Sequence, residues 1–157
     1  MIGERVKRLE DPPLLRGTAR FVDDIHLSGL LQAAFVRSPH PHALIKSIDT
    51  VAARAVPGVT AVYTLADFSP HILADRLPLQ FPSKDFGPDV TPYLLAGDEV
   101  CHVGEVIAMV IAETRYVAED AALLVEVDYD PLPSVAGCAA AFADDAPLVH
   151  RDTDDNV

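Results

Sequence analysis

The sequence contains little of what most cofactor sites are built from. Only two of its 157 residues are cysteines, only eight are glycines, and tryptophan is absent. Iron–sulfur clusters usually need four cysteine ligands, so we expect this chain to hold none. No two glycines are separated by a single residue and no glycine precedes a lysine, so the chain lacks both a G-x-G-x-x-G loop and a P-loop.

Basic residues and long apolar runs are also scarce. Twelve basic residues face 24 acidic ones, which gives a net charge of −12. Nucleic acids and anionic membranes both attract Lys and Arg, so we expect the chain to bind neither. The longest apolar run, 135–143, falls far short of the ~20 residues of a membrane helix. The first 13 residues, MIGERVKRLEDPP, lack the apolar core of a signal peptide. We expect a soluble, cytoplasmic protein.

The apolar pattern predicts alternating short helices and strands without a strict β-α-β order. Predicted helices begin near Asp11, near Asp49 or Thr50, after Thr114 and at residue 136. Predicted strands cover 29–38, 42–49, 59–65, 106–112 and 125–129. Between them, 69–92 contains five prolines and no clear period, which predicts a long irregular excursion. The length fits one domain, and the mixture of elements indicates the α+β class.

Three features give this outline more detail. The turn SPHPH, residues 38–42, contains two prolines and predicts either a hairpin or a corner between sheets, with its flanking strands as antiparallel neighbours. The unbroken apolar run 106–112 predicts a strand that is covered on both faces. Thr114 is a predicted N-cap, and Ala118, Ala121, Ala122 and Val125 share one face of the helix that follows.

No complete catalytic or metal-binding set emerges from the residues. His40 and His42 project to the same side of an extended chain, so they could chelate a metal, with Cys101 and His102 completing a site. A structural or interface role is the favoured interpretation, because imidazoles are good hydrogen-bond partners for the backbone of a turn. Cys101 and Cys138 lie far apart in apolar stretches, which favours two buried, reduced thiols over a disulfide.

Four stretches in order carry a family resemblance. They are RVKRLEDPPLLRGTARFVDDI, GLLQAAFVRSPHPHALIKSIDT, PGVTAVYTLADF and HVGEVIAMVIAETRYVAEDAALLVEVDYDPLPSV. Together they resemble the N-terminal domain of the molybdopterin-binding large subunit in the xanthine dehydrogenase, aldehyde oxidase and aerobic carbon monoxide dehydrogenase family. The resemblance covers residues 4 to about 150. It implies an α/β hammerhead: a mixed, largely antiparallel sheet with packed helices and a protruding β-hammerhead motif.

The resemblance also implies an activity that this chain does not perform alone. Such enzymes hydroxylate an aldehyde, a purine or another N-heterocycle, or oxidise CO, at a molybdenum centre. The molybdopterin-molybdenum cofactor, the iron–sulfur clusters and FAD belong to other domains or subunits, which would be the partners of this chain. We therefore expect no catalytic, cofactor-binding or metal-binding residue here, but a non-catalytic structural domain of such an oxidoreductase.

Seven residues match recurring features of the family, and the resemblance implies structural or domain-docking roles for them: Asp11, Arg37, Ser38, His40, His42, Gly104 and Glu105. Residues 1–150 would form the hammerhead domain. Residues 151–157 would be an acidic tail or the start of a linker to molybdenum-binding domains. Two alternatives stay open, a stand-alone binding or interaction module that reuses the fold, and a small hydrolase that uses Cys101 or Ser38.

Overall fold

The computed structural model describes residues 2–78 and 91–156. The chain divides into two compact units, Met1–Leu30 and Leu31–Val157. Within the described part, no helix is long and apolar enough to cross a membrane.

The N-terminal unit is built around one short helix, α1 (Asp11–Leu15). Two prolines lie in its first turn, where a missing N–H costs nothing, and Gly17 follows its end with a φ of 66°. The predicted helix is confirmed, with one correction, since Glu10 is the N-cap and Asp11 is the first helical residue. None of the described residues of this unit is buried.

The second unit contains the strands and the remaining helices. They are β1 (Gln32–Arg37), β2 (Ala43–Asp49), α2 (Val51–Arg54), β3 (Val59–Thr64), α3 (Leu65–Phe68), β4 (Glu99–Val100), β5 (Val106–Ala112), α4 (Arg115–Ala122), β6 (Glu126–Pro131) and α5 (Cys138–Ala141). Every strand and helix predicted for this part of the chain is present, and the α+β class is confirmed. β4 and α3 were not predicted, because a two-residue strand and a one-turn helix carry no periodicity.

The strands form two three-stranded antiparallel sheets, with the orders β1-β5-β3 and β4-β2-β6. The prediction that the strands on either side of SPHPH are neighbours is therefore wrong, because β1 and β2 belong to different sheets. The other interpretation of that turn, a corner between sheets, is confirmed. The chain leaves the first sheet at Arg37 and enters the second at Ala43.

The core contains two clusters of buried residues that share packing partners. The first contains Ala53 of α2, Val62 and Val110 of the β1-β5-β3 sheet, Ala121 of α4, and Val125. The second consists of Ala43, Ala96, Val100 and Ile107. Ile48 and Val127 pack against both clusters, so the two sheets bury a continuous apolar interior.

The helix α4 closes one face of the first sheet as its sequence predicts. Thr114 caps it, since its hydroxyl accepts a hydrogen bond from the Val117 N–H at 3.2 Å. Ala118 and Ala121 are fully buried, and these small side chains let the helix approach the sheet closely. The predicted N-cap and the predicted alanine face are both confirmed.

The described ends of the predicted excursion 69–92 are fastened to each other. Arg76 donates to the carbonyl of Thr91 at 2.7 Å and to the hydroxyl of Tyr93 at 2.8 Å. Its guanidinium also lies 3.9 Å from the centre of the Tyr93 ring, a cation–π contact. The middle of the predicted excursion, 79–90, lies outside the described residues.

Candidate functional site

The corner between the two sheets, residues 38–42, is stabilised by its own serine. The Ser38 hydroxyl donates to the His40 carbonyl at 2.9 Å and accepts from the His40 N–H at 3.0 Å. Two such bonds replace ladder partners that the backbone loses when it leaves a sheet. Ser38 is buried, so its hydroxyl depends on these internal partners.

A second loop, residues 101–105, is joined to the corner by three hydrogen bonds. The Ser38 N–H donates to the Glu105 carbonyl at 2.9 Å, and the Gly104 N–H donates to the Ser38 carbonyl at 2.8 Å. The Arg37 guanidinium donates to the Gly104 carbonyl at 2.8 Å. Gly104 has a φ of 88°, a conformation that residues with a Cβ rarely adopt.

Glu105 holds this second loop from within. The residue is buried, and one carboxylate oxygen accepts from the Cys101 N–H at 2.6 Å. The same oxygen lies 3.5 Å from Nδ1 of His102, an exposed side chain. A buried carboxylate needs such partners, because water cannot solvate it.

His42 links the corner to two distant segments. Its Nδ1 lies 2.8 Å from the carbonyl oxygen of Pro133, and its Nε2 lies 2.8 Å from a carboxylate oxygen of Glu99. A carbonyl oxygen only accepts, so Nδ1 carries a proton and donates. The other oxygen of Glu99 lies 3.2 Å from Nε of Arg151. The side chains of His42 and Glu99 are only 7% and 11% exposed, so this is a buried polar network rather than a surface ion pair.

His40 contacts the second sheet through an aromatic ring. Its imidazole meets the Tyr129 ring edge-on, with 4.7 Å between the ring centres. Burial raises the pKa of the Tyr129 phenol, and a hydrogen bond with the Ser38 side chain partly opposes that shift. The phenol is therefore a neutral packing and hydrogen-bonding group at physiological pH.

The structure brings six of the seven family-matched residues together: Arg37, Ser38, His40, His42, Gly104 and Glu105. The seventh, Asp11, lies in the N-terminal unit, where its carboxylate is 3.8 Å from the exposed Arg8. Sequence reasoning did not find Glu99, Tyr129, Pro133 and Arg151. Nothing in the sequence distinguishes Glu99 from other acidic residues, and Arg151 stands in a stretch predicted to be a tail or a linker.

The hypothetical metal site at His40 and His42 does not form. Both ring nitrogens of His42 already have partners, and the His40 ring packs on Tyr129 instead of facing a shared ligand. Residues 2–78 and 91–156 contain no group of three or more His, Cys, Asp or Glu side chains placed to hold a metal ion. The two cysteines of the sequence are also fewer than the four that an iron–sulfur cluster usually needs.

Neither cysteine forms a disulfide. The expectation that both are buried is wrong for Cys138, which is exposed, while Cys101 is partly buried. Burial raises the pKa of the Cys101 thiol to about 12, and the negative charges of Glu99 and Glu105 add to this shift. A catalytic cysteine needs its thiolate near neutral pH, so this environment opposes the hydrolase alternative at Cys101.

We expect the two thiols to react at very different rates. At pH 8 iodoacetamide should alkylate Cys138 first, because a thiol with a pKa of about 12 supplies almost no thiolate there. Peptide mass spectrometry over a time course measures both rates. In urea, where the environment of Cys101 is lost, the two rates should become similar. Equal rates in the folded chain would contradict this description of the site.

The comparisons with known proteins agree with this architecture. The family model for the aldehyde oxidase and xanthine dehydrogenase a/b hammerhead domain matches residues 16–133. The carbon monoxide dehydrogenase large chain of Afipia carboxidovorans is 44% identical over 99% of this chain and 18% of that protein. The nicotine 6-hydroxylase large subunit of Paenarthrobacter nicotinovorans is 40% identical over 100% of this chain and 19% of that protein.

A solved structure shows the same fold. The crystal structure of the Cu,Mo-CO dehydrogenase in its carbon monoxide reduced state superposes with a TM-score of 0.79 at 42% identity. The match covers 98% of this chain and 18% of that one. The chain therefore belongs to the a/b hammerhead domain family of aldehyde oxidase and xanthine dehydrogenase. It spans less than a fifth of the length of the relatives named here.

Proposed function

We propose that this chain is the non-catalytic structural domain of a molybdenum hydroxylase large subunit. One observation carries the proposal. Nearly the whole chain aligns at 44% identity with one stretch of a carbon monoxide dehydrogenase large chain, and that stretch is less than a fifth of the relative. The hydrogen bonds around the SPHPH corner support the same role, because they serve to hold two sheets and two loops in a fixed arrangement.

The complete enzyme would be an oxidoreductase that hydroxylates an aldehyde, a purine or another N-heterocycle, or that oxidises CO. The molybdopterin-molybdenum cofactor would supply that redox chemistry, with iron–sulfur clusters and FAD on further domains or subunits. In this proposal other domains or subunits hold these groups, and the contribution of this chain would be to pack against them. Those parts are its proposed partners, and the proposed location is the cytoplasm.

Within this proposal, residues 1–150 act as the hammerhead domain and 151–157 as the start of a linker to molybdenum-binding domains. Arg37, Ser38, His40, His42, Gly104 and Glu105 keep the corner in the shape that docking requires, and Asp11 has the same role in the N-terminal unit. The bond between Arg151 and Glu99 would fix the point from which the linker leaves the second sheet.

The purified chain should contain no stoichiometric molybdenum, iron or flavin. This is the expected result because the proposed role leaves the molybdopterin to other domains, and because the sequence has only two cysteines and no dinucleotide loop. Elemental analysis and a visible absorption spectrum measure it, with the Afipia carbon monoxide dehydrogenase prepared in parallel as the positive control. One equivalent of bound molybdenum in the isolated chain would overturn the proposal.

A further inference from the structure

The outer face of the β1-β5-β3 sheet is entirely apolar at its centre. Residues directly opposite each other in antiparallel strands share a face. The register aligns Phe35, Met109 and Tyr63 in one row across the three strands, and Ala33, Ile111 and Ala61 in the next. We call these six residues the open face. Phe35 is 46% exposed and Tyr63 is 36% exposed, so their rings are accessible to a partner.

This face departs from what a solvent-facing sheet normally shows. An antiparallel sheet with one face in water alternates apolar and polar side chains along each strand. β5 instead reads VIAMVIA, with no polar residue on either side. Its Ala108, Val110 and Ala112 are fully buried, whereas Met109 and Ile111 are only partly buried. The strand has the composition of one covered on both faces, but among the described residues of the second unit only one face is well covered.

Neighbouring side chains hold the open face in a defined shape. The Arg37 guanidinium lies 5.6 Å from the centre of the Phe35 ring and is itself fastened to the Gly104 carbonyl. Phe68 packs beside Tyr63, with 5.2 Å between the ring centres. Aromatic side chains that are already ordered lose less entropy when a partner binds them. The open face is therefore preorganised for binding. Arg37 connects it to the hydrogen bonds of the corner.

We propose that the open face is the surface on which the molybdenum-binding portion of the large subunit packs. This inference rests on the proposed function. In the relatives, the matching stretch is part of a chain about five times longer. The rest of that chain is covalently attached to the stretch, so it is present at high effective concentration. The occupant would present an apolar surface, because the face carries no charge at its centre in a chain of net charge −12. Such surfaces are typical of permanent interfaces.

Oxidative footprinting tests this assignment without disturbing the fold. The probes are the 157-residue chain and a full-length Afipia large chain, assembled with its own partner subunits, in which this chain replaces the matching stretch. Oxidation of Met109 and Tyr63 should be about tenfold slower or more in the full-length complex, because an interface core excludes water. Tyr116, an 80% exposed residue on α4, is the matched control and should stay reactive.

A variant provides the second measurement. Phe35→Thr replaces the exposed aromatic ring by threonine, a residue that is common in β-strands. Because the aromatic contact is lost, the yield of assembled complex should fall severalfold. The control variant Tyr116→Thr should not lower that yield. Thermal unfolding of the 157-residue variant checks that the fold is retained. If the variant does not fold, the footprint of the unmodified chain decides.

The possible failures are distinguishable. A complex that assembles with molybdenum while Met109 and Tyr63 stay as reactive as in the isolated chain would overturn this inference and leave the proposed function intact. Protection of the open face in the isolated chain, together with a dimeric mass in sedimentation, would identify a second copy as the occupant and would also overturn it. A large chain that never assembles with this segment would count against the proposed function itself.

Discussion

Replacement of Ile107 by alanine is expected to lower the free energy of unfolding by about 3 kcal/mol. Ile107 is the largest fully buried side chain described, and it lies in the cluster that contains Ala43, Ala96 and Val100. These neighbours belong to the second sheet and to the loop before β4, so the isoleucine joins the two sheets. A cavity at this position would remove packing from both of them. Urea denaturation followed by circular dichroism measures the loss.

Val103→Ala is the matched control for this variant. Val103 lies four positions earlier in the chain, in the loop before β5, and is 63% exposed. Its truncation should change stability by no more than about 0.5 kcal/mol. If the two variants lost equal stability, the packing between the sheets would not be what holds this unit together.

Removal of the His42 side chain is expected to cost about 3 kcal/mol of stability. The alanine variant leaves the Glu99 carboxylate and the Pro133 carbonyl without their 2.8 Å partner. Arg151 remains 3.2 Å from Glu99, so the carboxylate keeps one cation, but that arginine is half-exposed and approaches the other oxygen. The cost arises from leaving buried polar atoms unpaired. Urea denaturation measures it.

Two further variants distinguish the loss of the buried hydrogen-bond network from the loss of one positive charge. Lys46→Ala removes a cation from the same strand, whose partner Asp130 is 3.4 Å away at an exposed site, and it should cost under about 1 kcal/mol. His42→Gln keeps a side-chain N–H that can donate to one of the two acceptors, so it should recover part of the loss. A His42→Ala cost no greater than that of Lys46→Ala would show that the buried network contributes little.

The sequence predicts the elements of this fold better than it predicts their partners. The apolar run of β5, the Thr114 cap and the alanine face of α4 are local signals, and each appears in the structure where the pattern places it. The pairing of β1 and β2 was wrong because a short link with two prolines permits both a hairpin and a corner. The hydrogen bonds between Ser38 and the loop around Gly104 stabilise the corner. They join residues 66 or more positions apart, so local sequence patterns do not reveal them.

The candidate site was predictable only through the family resemblance. Composition and spacing pointed to His40 and His42 as a pair, but the structure directs them to different neighbours, Tyr129 for one and Glu99 for the other. Glu99 lies 57 residues from His42 in sequence, and no pattern of charges reveals which carboxylate becomes buried. Docking roles for the matched residues remain predictions.

The most direct test of the central claim is a segment exchange in a known enzyme. This chain replaces the matching 18% of the Afipia carbon monoxide dehydrogenase large chain, and molybdenum per assembled complex is measured. The equivalent stretch of the nicotine 6-hydroxylase large subunit, exchanged in the same way, is the control. As a hammerhead domain of a large subunit, this chain should give a complex that retains molybdenum at the level of the control. The account would be contradicted if the control complex contained molybdenum and the complex with this chain contained none.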